Sequence, residues 1–326
     1  MAAKIIWAVV AVLGVPMALG GYLYAAERAI RGLGPARRSA VRPWVWLAPA
    51  FLLVAGLLIY PALTTISLSL RSADSARFIG LANFRFIVTD SSMLIVLRNN
   101  LLWLVFFTLI TITVGLLIAV LTDRVRYESA AKAVIFLPMA ISFVAAGVIW
   151  KFMYQFQPAG TAQVGTVNAI LTAVAPRFRP QAWLVNESEN NPALIIVGIW
   201  MWTGFAMVIL SAGLKGIPTS VLEAARMDGA GELQIFTRIT LPLLAPTLTV
   251  VATTLIINVL KVFDIVYVMT NGNLNTEVIA NRMYKEMFNY QDFGRASAFA
   301  VILLLAIVPV MVINIRRFGR SREGMA

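Results

Sequence analysis

Apolar residues along this chain come in long blocks, and the polar residues gather between the blocks. Seven blocks reach the ~20 residues needed to cross a ~30 Å hydrocarbon core as a helix rising ~1.5 Å per residue. They cover residues 5–24, 44–70, 100–121, 133–154, 193–214, 246–270 and 296–315. A backbone in hydrocarbon must satisfy its own hydrogen bonds, so each block is expected to be a helix. Pro16, Pro49, Pro61, Pro138 and Pro309 fall inside blocks and mark expected kinks. Two longer polar intervals, 71–98 and 156–192, mix turn formers (Gly80, Asn83, Pro158, Gly160, Pro176, Pro180) with Phe84, Phe178 and Trp183. Both read as compact caps, too short to be domains. There is no fixed-period repeat and no low-complexity tract.

Composition agrees with an all-α polytopic membrane protein. Of 326 residues 60% are hydrophobic and 13% charged, against roughly 25% charged in soluble domains. The net charge of +12 does not point to nucleic acid, because the arginines sit immediately beside apolar blocks, where they encode membrane orientation. Arg28, Arg31, Arg37, Arg38 and Arg42 follow the first block, and Arg124, Arg126 and Lys132 follow the third. Lys215, Arg226 and Arg238 follow the fifth, and Arg316, Arg317, Arg320 and Arg322 close the chain. Those four groups alternate correctly for the cytoplasm. The opposite loops offset Arg71, Arg77, Arg85, Arg98, Arg177, Arg179, Arg282, Lys285 and Arg295 with seven acidic residues between Asp74 and Asp292. The first block admits two readings, a cleaved signal peptide or a retained helix. Cleavage would leave the arginine cluster outside, so a retained helix with an external N-terminus is expected. The absence of cysteine and histidine removes disulfides, thiol chemistry, imidazole metal ligands and histidine relays. No metal site and no catalytic constellation is expected.

The interval 221–246, VLEAARMDGAGELQIFTRITLPLLAP, is a polar helix–turn–helix pattern between two membrane-length blocks. Ser220 with Glu223 three residues on has the form of a capping box, which accounts for a carboxylate at a helix start. It does not account for Ala224 and Ala225, small enough to admit another backbone, or for Gly229, which permits a bend. Nor does it account for a second amphipathic turn of Leu233, Phe236 and Ile239. A first helix docking into a soluble partner with Glu223 paired there, and a second turn packing on the membrane helices, accounts for all of these. Capping and docking can coexist.

Glu223-Ala224-Ala225, Asp228-Gly229-Ala230, Phe236, Ile239, Leu241-Pro242 and Pro246 resemble, at matching spacing, the EAA loop of ABC-importer permeases. The likeness runs over roughly 44–315. IGLANF (79–84), FLPMAISFVAAGVIW (136–150) and KVFDIVYVMTNG (261–272) are similar to the carbohydrate-importer branch, the MalF-like permeases, and especially to α-glucoside permeases. The resemblance implies a six-helix type I importer core (MetI-like), here preceded by one extra N-terminal helix. It divides the chain into that helix and a basic loop (1–43), the permease domain (44–315) with a coupling loop at about 215–246, and a basic tail (316–326). It implies that Glu223, Ala224, Ala225, Asp228, Gly229 and Ala230 couple to an ATPase. The partners it implies are a second permease, two ATPase subunits that bind ATP-Mg, and an external solute-binding protein, in a bacterial cytoplasmic membrane. No GxxxxGK[ST] phosphate loop occurs here, so the chain itself is expected to be no enzyme and to hold no cofactor. Two features depart from the family. The large external insertion of the maltose permease is missing, and Asn271-Gly272-Asn273 stands where a double glycine with proline is usual.

The sixth block carries Lys261 and Asp264, and a charge in hydrocarbon costs about 2.5–3.5 kcal/mol on insertion scales, so both must face protein or water. At about 100° per residue, Thr254, Asn258, Lys261 and Asp264 fall within roughly a 120° arc of one helix. They are either a self-satisfied ion pair holding helices together or the wall of a solute path. Trp200 and Trp202 in the fifth block, and Tyr267 beyond the stripe, offer ring faces for sugars; the other reading is lipid-facing aromatics. Lys151 and Gln155 read as snorkelling side chains, and Asn186-Glu187-Ser188 as a chance glycosylation triplet. The function expected is import of a carbohydrate, an oligosaccharide or α-glucoside, by alternating access. The rivals are a permease for a non-sugar solute, a standalone ion-coupled transporter using Lys261 and Asp264, and a membrane enzyme, which would have little acid–base chemistry to work with.

Overall fold

The structure, a computed structural model, describes residues 2–123, 125–175 and 177–323. Arg124 and Pro176 lie outside the described residues, as do residues 324–326 of the basic tail and the side chains of Arg316, Arg317, Arg320 and Arg322. Among the described residues there is no strand, only an isolated antiparallel bridge between Arg71 and Phe78. The chain divides into two compact units, 1–67 and 68–326.

The first unit is a helical hairpin. α1 (Ala2–Ile30) contains the first apolar block and runs unbroken through Pro16. α2 (Pro35–Ser69), whose last residues belong to the second unit, opens with proline at its first position, where a missing N–H is harmless. Glu27 joins the two: it accepts from Arg42 Nε at 2.7 Å and from Trp46 Nε1 at 2.9 Å, while the Tyr22 hydroxyl donates to the Val45 carbonyl at 2.8 Å. The basic loop therefore carries its own counter-charge. α2 widens into a π turn at Ala55–Ile59, just before Pro61 removes a backbone donor.

The second unit contains α3 (Ala82–Thr89), α4 (Ser91–Thr122), α5 (Glu128–Phe136), α6 (Phe143–Met153) and α7 (Thr166–Val174). It continues with α8 (Asn190–Lys215), α9 (Thr219–Met227), α10 (Glu232–Leu260), α11 (Asp264–Met269), α12 (Ile279–Phe288) and α13 (Phe293–Glu323). α8 is its centre: 61% of its apolar window is buried, against 28% for α4 and 33% for α10. Leu194, Val197, Met207 and Leu210 are fully enclosed there. By length and composition α2, α4, α8, α10 and the Phe293–Val312 part of α13 suit a bilayer, five helices among the described residues, or six if one bent pair counts as a span.

That bent pair is the fourth apolar block, which is not the single kinked helix that Pro138 suggests. α5 runs into a 3₁₀ turn, Leu137–Ala140, and Ile141 is extended (φ −90°, ψ 144°). Ser142 then caps α6 by accepting the Ala145 N–H at 3.1 Å, so the pair turns through 99°. The cap intervals have their expected local order, but Asn83 is a buried helix residue rather than a turn former. Its amide donates to the Ser69 and Arg71 carbonyls at 2.9 and 2.8 Å. Asn168, wholly buried in α7, holds the second cap through the Gln181 N–H and the Trp183 indole.

The sixth block is also broken. α10 stops at Leu260, Lys261 has φ −105° and ψ 25°, and the chain resumes as α11. The loop beyond α11 puts Asn271, Gly272, Leu274 and Asn275 at positive φ. Irregular backbone at membrane depth needs partners inside the protein, and four asparagines supply them, Asn99 and Asn100 within α4 and Asn190 and Asn191 at the start of α8. Asn100 donates to the Leu260 carbonyl at 3.3 Å and accepts the Ile279 N–H at 2.7 Å. Asn99 donates to the Asn275 and Glu277 carbonyls, Asn190 to Leu274, and Asn191 to Asn275. Asn100→Leu keeps the volume and strands both backbone groups; about 2 kcal/mol is expected to be lost. A melting temperature in detergent equal to wild type would contradict this role.

Candidate functional site

The break at Lys261 builds a cavity. As α10 ends, Asn258 bonds back to the Thr254 carbonyl at 2.8 Å, and the Thr254 hydroxyl to the Val250 carbonyl at 3.0 Å. The next residues leave the helical path, and Asp264 becomes the first residue of α11. The predicted continuous arc of Thr254, Asn258, Lys261 and Asp264 on one helix is therefore incorrect, because the helix that would carry it ends at Leu260. Three of the four still converge. Asn258, Lys261 and Asp264 line a cavity of about 210 Å³ with Trp103, Phe107, Phe143, Gly198, Trp202 and Phe263 among its walls. A second cavity of about 270 Å³ shares Asn258, Phe143 and Trp202. The ion pairs among the described residues do not include Lys261 with Asp264, so the self-satisfied pair is not formed and both charges are presented to the space.

The two tryptophans separate. They are two residues apart on α8, and a helix points such neighbours in nearly opposite directions. Trp202 lines both cavities, its ring stacked on Phe143 at 6.4 Å and edge-on to Phe205 at 5.5 Å. Trp200 instead meets Trp150 edge-on at 5.7 Å and packs against the core cluster. Tyr267 lies one turn along α11, stacked on Phe263 at 5.0 Å and 40% exposed; it lines neither cavity.

Sequence reasoning missed the opposite wall. Trp103 and Phe107 bound a π turn of α4 and read in sequence as ordinary apolar residues. Gly198 makes room for them: a Cβ there would stand 3.0 Å from the Trp103 ring and 3.2 Å from the Phe107 ring. Trp103 Nε1 is buried with no hydrogen-bond partner. The unpaired donor comes from the tertiary arrangement and leaves no trace in the spacing.

The polar block between α8 and α10 takes a specific form. α9 starts after Pro218, two residues earlier than the capping-box reading requires. Ser220 is thus already inside the first turn, no side chain caps the helix, and Glu223 is exposed. The capping box at Ser220 and Glu223 is absent. The C-terminus closes as a Schellman motif: the Gly229 N–H donates to the Arg226 carbonyl and the Ala230 N–H to the Ala225 carbonyl, both at 3.0 Å. Gly229 occupies the left-handed position at φ +81°, which a side chain would strain. Arg226 reaches over the turn to Glu232 at 2.8 Å.

Glu223, Ala224, Asp228 and Gly229 form the free surface of the block; Ala225 is buried and Ala230 half-buried. Only one of the two alanines is therefore open to a partner. The second arm is not a separate helix but the start of α10, which passes through a π turn at Phe236–Thr240 just before Pro242. Ile235 is its buried anchor, with Phe236 and Ile239 half-buried and Leu233 76% exposed, contrary to the expectation that Leu233 packs inward. A cleft of about 630 Å³ lies beneath, with Leu116, Leu117, Leu222, Ile235 and Phe236 among its walls.

Beside this block stands a charge cluster that the orientation count did not reveal. Lys132 donates to Asp123 at 3.0 Å, and also to Glu128 and to the Ser211 hydroxyl. Ser211 donates to Asp123 at 2.9 Å, and Lys215 reaches Glu128 at 2.5 Å. The group ties the end of α4 to α5 and α8, and only three residues separate Lys215 at the end of α8 from the start of α9.

A family model described as "Binding-protein-dependent transport system inner membrane component" matches residues 111–317, a span that includes both the cavity-forming break and the polar block. The chain belongs to that family and is a permease component of an ABC importer. It is 59% identical over 279 residues to the osmoprotective compounds uptake permease protein GgtC of Synechocystis, covering 86% of this chain and 99% of the relative. It is 46% identical over 287 residues to the alpha-glucoside transport system permease protein AglF of Rhizobium meliloti, covering 88% of this chain and 85% of that one. A chain in the crystal structure of a bacterial ABC transporter involved in the import of the acidic polysaccharide alginate superposes with a TM-score of 0.70 at 23% identity, over 87% of this chain and 99% of that one. The MetI-like permease fold expected from the resemblance is the fold observed.

Lys132→Met removes the cation shared by Asp123 and Glu128, leaving Asp123 with the Ser211 hydroxyl and Glu128 with Lys215. A lowered melting temperature in detergent is expected, because the tie between α4, α5 and α8 loses its shared cation. Unchanged melting would mean that the cluster is solvated and does not hold α4, α5 and α8 together.

Proposed function

We propose that the chain is the membrane subunit of an ATP-driven importer of a carbohydrate, an oligosaccharide or α-glucoside, working by alternating access. The observation that carries this is one unbroken helix: α10 starts in the polar block at Glu232 and ends at the cavity at Leu260. Its 29 residues make a rod of about 43 Å at ~1.5 Å per residue. Movement of the block is passed along that rod to the cavity wall. Two ATPase subunits bind ATP-Mg, one of them docking on Glu223, Ala224, Asp228 and Gly229; a second permease completes the path; an external binding protein delivers solute. The arginine-rich loops face the cytoplasm, the first helix is retained, and the N-terminus is external.

In the cavity Asp264 accepts hydrogen bonds from hydroxyls, Asn258 both accepts and donates, Lys261 donates, and Trp202 gives a ring face to the apolar side of a sugar. A neutral polyhydroxylated solute suits a site holding one anion, one cation, an amide and several rings. The name of the alpha-glucoside permease relative supports this class. The name of the osmoprotective-compound relative supports a second reading, a small compatible solute that need not be a sugar. A panel of labelled α-glucosides and non-sugar osmolytes, tested for uptake through the assembled importer, separates the two.

Glu223→Ala is expected to lower uptake about tenfold or more while the assembled complex still hydrolyses ATP, since removing one member of a charge pair at an interface costs about 2–5 kcal/mol. Wild-type coupling of hydrolysis to uptake would refute the docking role. Asp264→Asn, which keeps shape and hydrogen bonding and removes charge, is expected to reduce uptake at least threefold without changing the amount of assembled complex. Full uptake would place the solute path elsewhere.

A further inference from the structure

Aromatic rings continue outward from the cavity wall. Phe263, which lines the cavity, stacks on Tyr267 at 5.0 Å with 22° between ring planes. Tyr284 of α12 meets both Phe263 and Tyr267 at 5.4 Å, and Phe288, one turn further along α12, lies 4.8 Å from Tyr284. Phe263 packs against the core and Tyr284 is half-buried, but the outer rings are open. Tyr267 is 40% and Phe288 63% exposed, whereas the buried residues of α12 are Ile279, Ala280, Asn281 and Glu286.

The charges of α12 are occupied elsewhere. Arg282 pairs with the buried Glu286 at 2.7 Å, and Lys285 with Glu277 at 2.6 Å and with the Asn271 carbonyl. Arg282 also lies 5.2 Å from the Tyr290 ring centre. The aromatic face thus presents flat apolar rings edged by two tyrosine hydroxyls. Sugar rings have a matching character, with C–H faces for stacking and hydroxyl rims for hydrogen bonds, and amphipathic aromatics suit such half-apolar, half-wet contacts.

We infer that Tyr267, Tyr284 and Phe288 form an outer saccharide track, which holds the sugar units of a longer substrate beyond the one in the cavity. The occupant chosen is a carbohydrate because the row is continuous with the cavity through Phe263 and ends at exposed rings. The inference rests on the carbohydrate-importer reading and adds to it a preference for chain length, set by α12.

The test uses the complete importer in proteoliposomes at saturating binding protein, with methyl α-glucoside, maltose and maltotriose as probes. Tyr284→Leu and Phe288→Leu are expected to slow maltotriose transport about fivefold, the scale of one lost ring contact. Methyl α-glucoside should stay within twofold of wild type, and Tyr284→Trp should restore maltotriose transport. Equal slowing of all three sugars, or a defect cured by more binding protein, would make the face a protein dock and overturn the track. So would loss of co-purification with the partner permease, or maltotriose transport unchanged in both leucine variants. Failure of the wild-type importer to move any of the three sugars would instead remove the carbohydrate reading itself, and the track with it.

Discussion

Everything distinctive about this molecule depends on a backbone being broken where a membrane helix would ordinarily continue. In hydrocarbon a free carbonyl or N–H costs several kcal/mol, so a break survives only where side chains replace the lost hydrogen bonds. Asn100 does so at the end of α10, taking up the Leu260 carbonyl and the Ile279 N–H together. Asn99 within α4, and Asn190 and Asn191 at the start of α8, hold the left-handed turn that follows. Once the backbone is held, the chain can turn at Lys261 and bring Asn258, Lys261 and Asp264 around one space. An unbroken helix would have spread the same residues along roughly two turns of a single wall.

The other end of α10 follows a different rule. In the polar block the backbone turns because Gly229 accepts a positive φ and Ala230 reaches back to the Ala225 carbonyl. These two closures define a rigid segment between them, with a π turn before Pro242 absorbing the missing donor. The Lys132 cluster fixes the neighbouring ends of α4, α5 and α8. Polar groups therefore hold the two ends of the second unit, while its middle is the apolar packing of α8 against α4, α5, α6 and α10. A two-ended machine needs this arrangement: firm junctions where residues must keep their places, and a packed but nonspecific interior between them.

Much of the architecture was legible in the residues. Block length forces helices, and α4, α8, α10 and α13 stand where the apolar runs are. The spacing from Glu223 to Gly229 marked the turn, and Gly229 has the positive φ that its type suggests. The charges in the sixth block marked the cavity. Where the reading failed, periodicity had been extended through a point at which another part of the chain intervenes. Asn100, distant by 160 residues, lets α10 end at Leu260; Ser142 and the extended Ile141 turn one kink into a 99° bend. The capping box failed by two residues, because a helix start depends on where the preceding Pro218 places the chain.

The sequence by itself determined the class of solvent, the helices it imposes and the block that marks a permease, because burial of backbone and the cost of charge in hydrocarbon act locally. The tertiary structure alone decided that Trp202 and not Trp200 faces the cavity. It also brought Trp103, Phe107 and Gly198 to the opposite wall, and let Lys261 and Asp264 share a space without pairing. These outcomes depend on helix rotation and on where a helix stops, which are set by packing and by hydrogen bonds between residues far apart in the chain.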